Sequence, residues 1–121
     1  MIELELIDAP PELRPAALAA LEAAGVEAGH LAVAFVGAGR IRELNRRHRR
    51  IDAPTDVLSF PVDENAPAAG PRELGDVVIC PEHTHDLTEA VVHGVLHLCG
   101  YDHESDDGEM LALQGRVLER L

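Results

Sequence analysis

A chain of 121 residues is about one domain by the usual length prior, long enough to bury a core and too short for several. Hydrophobic residues at 46% and charged residues at 26% exclude a disordered chain, and no apolar run reaches the roughly 18 residues that a membrane span requires. The formal charge is −12, from 22 acids against 10 bases that are all arginine, so a polyanionic partner has to be met by a local patch rather than by the surface as a whole.

Ile2, Leu4 and Leu6 alternate with Glu3 and Glu5, the pattern of a strand with one buried face. Pro10 and Pro11 stop it. Leu13, Ala17, Ala20, Leu21 and Ala24 recur at helical spacing, and Gly25 ends that helix. Leu31 to Val36 is a continuous apolar run and reads as a buried strand. A second helix is predicted over about Arg40 to Arg50, with Ile41, Leu44, His48 and Ile51 as its buried stripe. Val57 to Val62 and Val77 to Cys80 are two short strands, separated by DENAPAAGPREL, a Pro- and Gly-rich stretch that reads as a mobile loop. Helices over Leu87 to Leu98 and Asp106 to Arg120 follow. The expected fold class is α+β: one domain, a four-stranded mixed sheet covered by helices.

The N-terminal MIELELID has neither a basic region nor an apolar run of signal-peptide length. Cys80 and Cys99 are isolated and outside any CxxC pair. Both features point to a cytoplasmic protein with reduced thiols. Aromatic residues are scarce, with only Phe35, Phe60 and Tyr101, so the core has to be aliphatic.

HGVLHLCGYDH, residues 93 to 103, carries three histidines. At 100° per residue His93 and His97 share one helix face, and the rest of that helix is apolar nearly all round, as in a buried helix. Buried imidazoles need partners. Gly100 can take the left-handed conformation that ends a helix and turns His103 back toward the pair. Three neutral imidazoles suit zinc at about 2.0–2.1 Å and leave a fourth position open, as in catalytic rather than structural sites. The alternative is a set of core histidines satisfied by hydrogen bonds. The spacing also reproduces the HExxHxxGxxH frame of metzincin proteases, but Gly94 stands where their glutamate base would be, and Met110 reads as a core residue rather than a Met-turn.

HGVLHLCGYDH resembles the HGxLHLxGYDH signature of the YbeY family of metal-dependent endoribonucleases. LNRRHRRIDAPTDVLSFP, residues 44 to 61, is similar to that family's LNxxYRxxDxPTDVLSFP, with His48 at the tyrosine position, and LGDVVIC from Leu74 is similar to its LGDIxIS strand. The likeness runs from about Val33 onward. It implies one Zn2+ per chain held by His93, His97 and His103, with His93 and Arg49 at the catalytic centre. It also implies single-stranded ribosomal RNA as substrate, in maturation of the 16S 3′ end and ribosome quality control, with the small ribosomal subunit or its proteins as partners and no membrane. Only PEHTHDLTEAVV separates Cys80 from His93, shorter than the family's usual link, which implies a truncated packing helix beside the site.

Six arginines and one acid, Glu43, lie between Arg40 and Arg50, the one stretch where phosphate could approach so acidic a chain. A guanidinium fork suits a phosphodiester oxygen and the charge that builds on it. Arg49 takes that role by the resemblance; the other arginines read as steering charge. His48 reads as core. Asp52, Asp56, Ser59 and Asp76 read as turn and strand-start residues, Asp102 as a group that orients His103 or its turn, and His83 and His85 as exposed. Gly94 reads as room for a nucleic-acid backbone beside the metal. Two other readings fit the same residues: a ribosome-associated assembly factor with a structural metal, and a zinc peptidase.

Overall fold

The computed structural model describes residues 1–62 and 73–121. Four strands, β1 (Ile2–Ile7), β2 (Gly29–Phe35), β3 (Val57–Pro61) and β4 (Glu73–Ile79), form one open sheet in the order β1-β2-β4-β3. β1, β2 and β4 are parallel, and β3 is antiparallel to β4. Four α-helices join them: α1 (Arg14–Ala23), α2 (Ala38–Arg49), α3 (Leu87–Leu98) and α4 (Glu109–Glu119). This is the α+β mixed sheet expected from the sequence. The predicted loop over residues 63 to 74 falls outside the described residues, except that Glu73 and Leu74 already belong to β4.

Because successive strand residues point to opposite faces, the sheet divides the apolar residues into two layers. On one face Leu4, Leu31, Val33, Val77 and Ile79 meet α1, α3 and α4 through Ala17, Leu21, Val91, Val95 and Met110, with Leu13 of the turn before α1. On the other, Leu58, Val78 and Cys80 pack under Ile41 of α2. Leu74 joins the first layer out of phase with Val77. The register explains this: His30 pairs with Glu73 but Leu31 pairs with Gly75, so Leu74 is the extra residue of a bulge. Gly75 sits at φ +129°, where a side chain would meet the backbone oxygen of Phe60.

Two predicted features of the helices differ. The buried stripe of α2 is short: Ile41 and Asn45 are buried and Leu44 partly so, while His48 is exposed and Ile51 is 45% exposed. The C-terminal half of α2 runs past the residues that pack beneath it, and Asn45 anchors the helix instead, its Nδ2 donating to the Ala53 carbonyl at 2.9 Å. α4 starts at Glu109 rather than Asp106, because Gly108 takes φ +102° and Asp106 serves as the cap, its carboxylate accepting from the N–H groups of Gly108 and Met110.

The ends of α3 match the sequence reading. Asp86 caps the start by accepting from the Glu89 N–H at 3.1 Å. Gly100, at φ +97°, ends it with the paired bonds of a Schellman turn, from the Gly100 N–H to the His97 carbonyl and from the Tyr101 N–H to the Leu96 carbonyl. The short segment before α3 is a 3-10 turn, Pro81–His83, rather than an additional α-helix.

α3 lies close against β3 and β4 at Gly94. A Cβ there would stand 2.5 Å from Val77 Cγ1 and 3.1 Å from Val57 Cγ2, and the Ser59 hydroxyl donates to the Gly94 carbonyl at 2.8 Å. Replacing Gly94 by Ala gains about 1 kcal/mol of helix propensity but forces a methyl against a fully buried, β-branched neighbour, at about 1–3 kcal/mol. A double-mutant cycle separates the two. Gly94→Ala alone is expected to lower the urea midpoint, whereas in a Val77→Ala background the same change should be neutral or stabilising. Equal effects in both backgrounds would show that Val77 does not limit the approach of α3.

Candidate metal centre

His93 and His97 project from the last two turns of α3, and the Gly100 turn returns His103 to them. Their ring centroids are 4.8, 5.1 and 5.4 Å apart, and one nitrogen from each lies within 4.8 Å of the others. All three are half-buried. Among the described residues this is the one cluster of its kind. The donor set of three imidazoles, with no carboxylate or thiolate closing the fourth side, fits a divalent transition metal with an open position.

A further residue orients the set. Gln114 of α4 is buried, and its Oε1 lies 2.7 Å from His93 Nδ1. The amide oxygen accepts, so Nδ1 carries the proton and Nε2 is left with its lone pair for a metal. Sequence reasoning missed Gln114. Its signal was a lone polar residue on the buried stripe of Met110, Gln114 and Val117.

Burial holds the His97 imidazole below its ordinary pKa of 6.5, and the positive charge that His93 and His103 would carry pushes it the same way. His97 is therefore neutral over a wider pH range than a free imidazole, as a ligand must be. This part of the folding free energy is present above 6.5 and is lost as pH falls from there through the folded value. Asp102 holds the turn rather than His103: its carboxylate accepts from the Glu104 N–H and the Ser105 hydroxyl, and those bonds hold it below the ordinary carboxylate value.

The triad opens into a cleft of about 1100 Å³, walled by β3 and the segment before it, by the start of α3, and by the turn after Gly100. Arg49 lines this cleft. Of the arginines on α2, Arg42 pairs with Asp52 at 2.7 Å, and Arg46 and Arg47 both pair with Glu43. Arg49 has no carboxylate partner among the described residues. Arg42, Arg46 and Arg47, expected to steer, are thus part-neutralised.

Other expectations need correction. His48, read as core, is exposed, lines the cleft and meets Phe60 edge to face at 4.7 Å. Gly94 does not open space beside the three histidines. It faces the sheet, and Val77 would block any side chain there, which leaves no room for the glutamate base of a peptidase. Asp76 lies inside β4, opposite Phe60 of β3, rather than before a strand. His83 and His85 are exposed as expected, and neither joins the metal cluster, although His85 lines the cleft. Asp56 accepts from the Val57 N–H, and Ser59 holds Gly94. Met110 is fully buried. Cys80 and Cys99 form no disulfide, and among the described residues no helix is long and apolar enough to cross a membrane.

The sequence profile described as endoribonuclease YbeY matches residues 12–121. The chain belongs to the YbeY family. Endoribonuclease YbeY of Mycolicibacterium smegmatis is 39% identical over 131 aligned positions, covering 90% of this chain and 74% of that protein. The namesake proteins of Mycolicibacterium paratuberculosis and Nocardia farcinica are each 40% identical over 113 positions, covering 76% of this chain. The chain spans 64% and 61% of the length of those two. The solution structure of TM1509 from Thermotoga maritima shares the fold, with a TM-score of 0.58 and 30% identity over 98% of this chain and 87% of that one. The family match begins upstream of the Val33 at which the motif likeness starts, so α1 and β2 belong to it as well.

Zinc titrations as a function of pH test both the donor set and its support. Affinity should be highest near neutrality and fall as acid protonates the imidazoles. Gln114→Leu should lower it by roughly 10–100-fold across the range. An unchanged affinity in Gln114→Leu would separate Gln114 from the metal site.

Proposed function

We propose that this chain is a zinc-dependent endoribonuclease that cuts single-stranded RNA. The carrying observation is that His93, His97 and His103 share one open cleft with Arg49, the one arginine that lines it among the described residues. Membership of a family whose described relatives are endoribonucleases supports it. The three-imidazole set favours one Zn2+ per chain. Bound there, zinc supplies a Lewis acid for phosphoryl oxygens.

The chain's own residues do the rest. Gln114 keeps the proton of His93 on Nδ1, so that the ligand atom does not exchange with it. The Schellman turn at Gly100 fixes His103 relative to the helix pair. Arg49 offers its fork to a non-bridging phosphate oxygen and to the negative charge that grows on it as the phosphodiester is attacked. We assign the substrate to ribosomal RNA near the 3′ end of 16S, in its maturation and quality control, with the small subunit or its proteins as partners in the cytoplasm.

Cleavage of a ribosomal RNA fragment with a single-stranded 3′ end, by zinc-loaded wild type and by identically purified variants, tests this. His97→Ala should lose both metal and cleavage. Arg49→Glu should keep the metal and lose about 10²–10³ in kcat. Cleavage by His97→Ala at the wild-type rate would contradict the zinc mechanism. Zinc binding without cleavage by the wild type would move the chain to an assembly role with a structural metal.

A further inference from the structure

The cleft is poorly suited to holding RNA by charge. Against Arg49 it presents Asp56, Asp86, Glu89, Asp102 and Glu104. Among the described residues, one guanidinium among five carboxylates gives a polyanion little net attraction from side chains, so part of the grip has to come from contacts that do not depend on charge. The aromatic residues are placed accordingly. The whole chain has two phenylalanines, one tyrosine and no tryptophan, yet Phe60 and Tyr101 both line this cleft.

His48 completes the arrangement. Its ring is exposed on the cleft side of α2, one residue before Arg49, and stands edge to face with Phe60 at 4.7 Å and an interplanar angle of 62°. Phe60 is itself seated on the second core layer, against Ile41, Leu58, Val78 and Cys80. The imidazole is thus propped by a ring that the core holds still. A flat, rigid face at the edge of a groove is what a nucleobase stacks on, and such stacking is tolerant of sequence because every base has a π-face.

We propose that His48, held by Phe60, is a stacking platform for one nucleobase of a single-stranded RNA whose phosphate is held by Arg49. The platform rests on the nuclease reading and makes His48 a substrate-positioning residue. Its contribution lies in binding, so its loss raises KM and leaves the metal site intact.

The test is binding, by fluorescence anisotropy, of a labelled 2′-O-methyl oligoadenylate decamer and of its abasic counterpart to zinc-loaded protein. Wild type should prefer the decamer with bases, by roughly 5–150-fold if one base is stacked. His48→Ala should bind the two nearly alike, and His48→Phe, which keeps a flat ring and has no proton to give, should restore the preference. Because His48 is exposed, these variants are expected to fold, unlike changes at the core-seated Phe60. If His48→Ala keeps the wild-type preference, or if His48→Phe behaves as His48→Ala, stacking at this position is wrong while the nuclease reading stands. If the wild type binds neither decamer and cuts no RNA, the nuclease reading fails and the platform with it.

Discussion

The site depends on how closely α3 lies on the sheet. Gly94 presses against Val77 and Val57, and Ser59 reaches up to its carbonyl. With the helix seated there, its rotation about its own axis is set, and His93 and His97 face the cleft rather than the core. The opposite sides of α3 are filled by aliphatic residues that meet α1 and α4. α4 then brings Gln114 to His93, and the Gly100 turn brings His103. A helix that stood off the sheet by the width of one methyl group would disturb these relations together.

The residue pattern foretold α3 well because its signals are local. The Leu87 to Leu98 bounds, the buried apolar surround and the breaking glycine all lie within a dozen residues. β1 was equally plain from its alternation. His48 was misplaced for a different reason. A helical wheel tells which residues share a face, but not how far along the helix the partner layer covers it, and at His48 only the rim residue Phe60 meets the ring, which stays exposed. The role of Gly94 was misread because a glycine has no side chain to show its direction; only Val77 and Val57, distant in sequence, show what would collide. Gln114 and His93 are 21 residues apart, and their meeting depends on how α4 docks.

Net charge is resolved in the same local way. An overall −12 argues against an RNA partner, and the arginines of α2 are the local answer that the sequence offers. Ion pairs with Glu43 and Asp52 remove much of that answer. What remains at the cleft, among the described residues, is one unpaired guanidinium, flat rings, and three imidazoles able to carry a cation. A bound divalent ion would itself be the largest positive charge in the cleft. On the proposed reading, metal occupancy and RNA affinity would be coupled through electrostatics as well as through chemistry.

The central claim is an open metal site made of His93, His97 and His103. Zinc K-edge X-ray absorption on the loaded protein addresses it most directly, because it counts imidazole, oxygen and sulfur ligands separately. The expected result is three imidazole nitrogens and one oxygen donor from solvent, with no sulfur. A closed shell of four protein ligands, or a sulfur contribution, would contradict it and describe a structural metal instead.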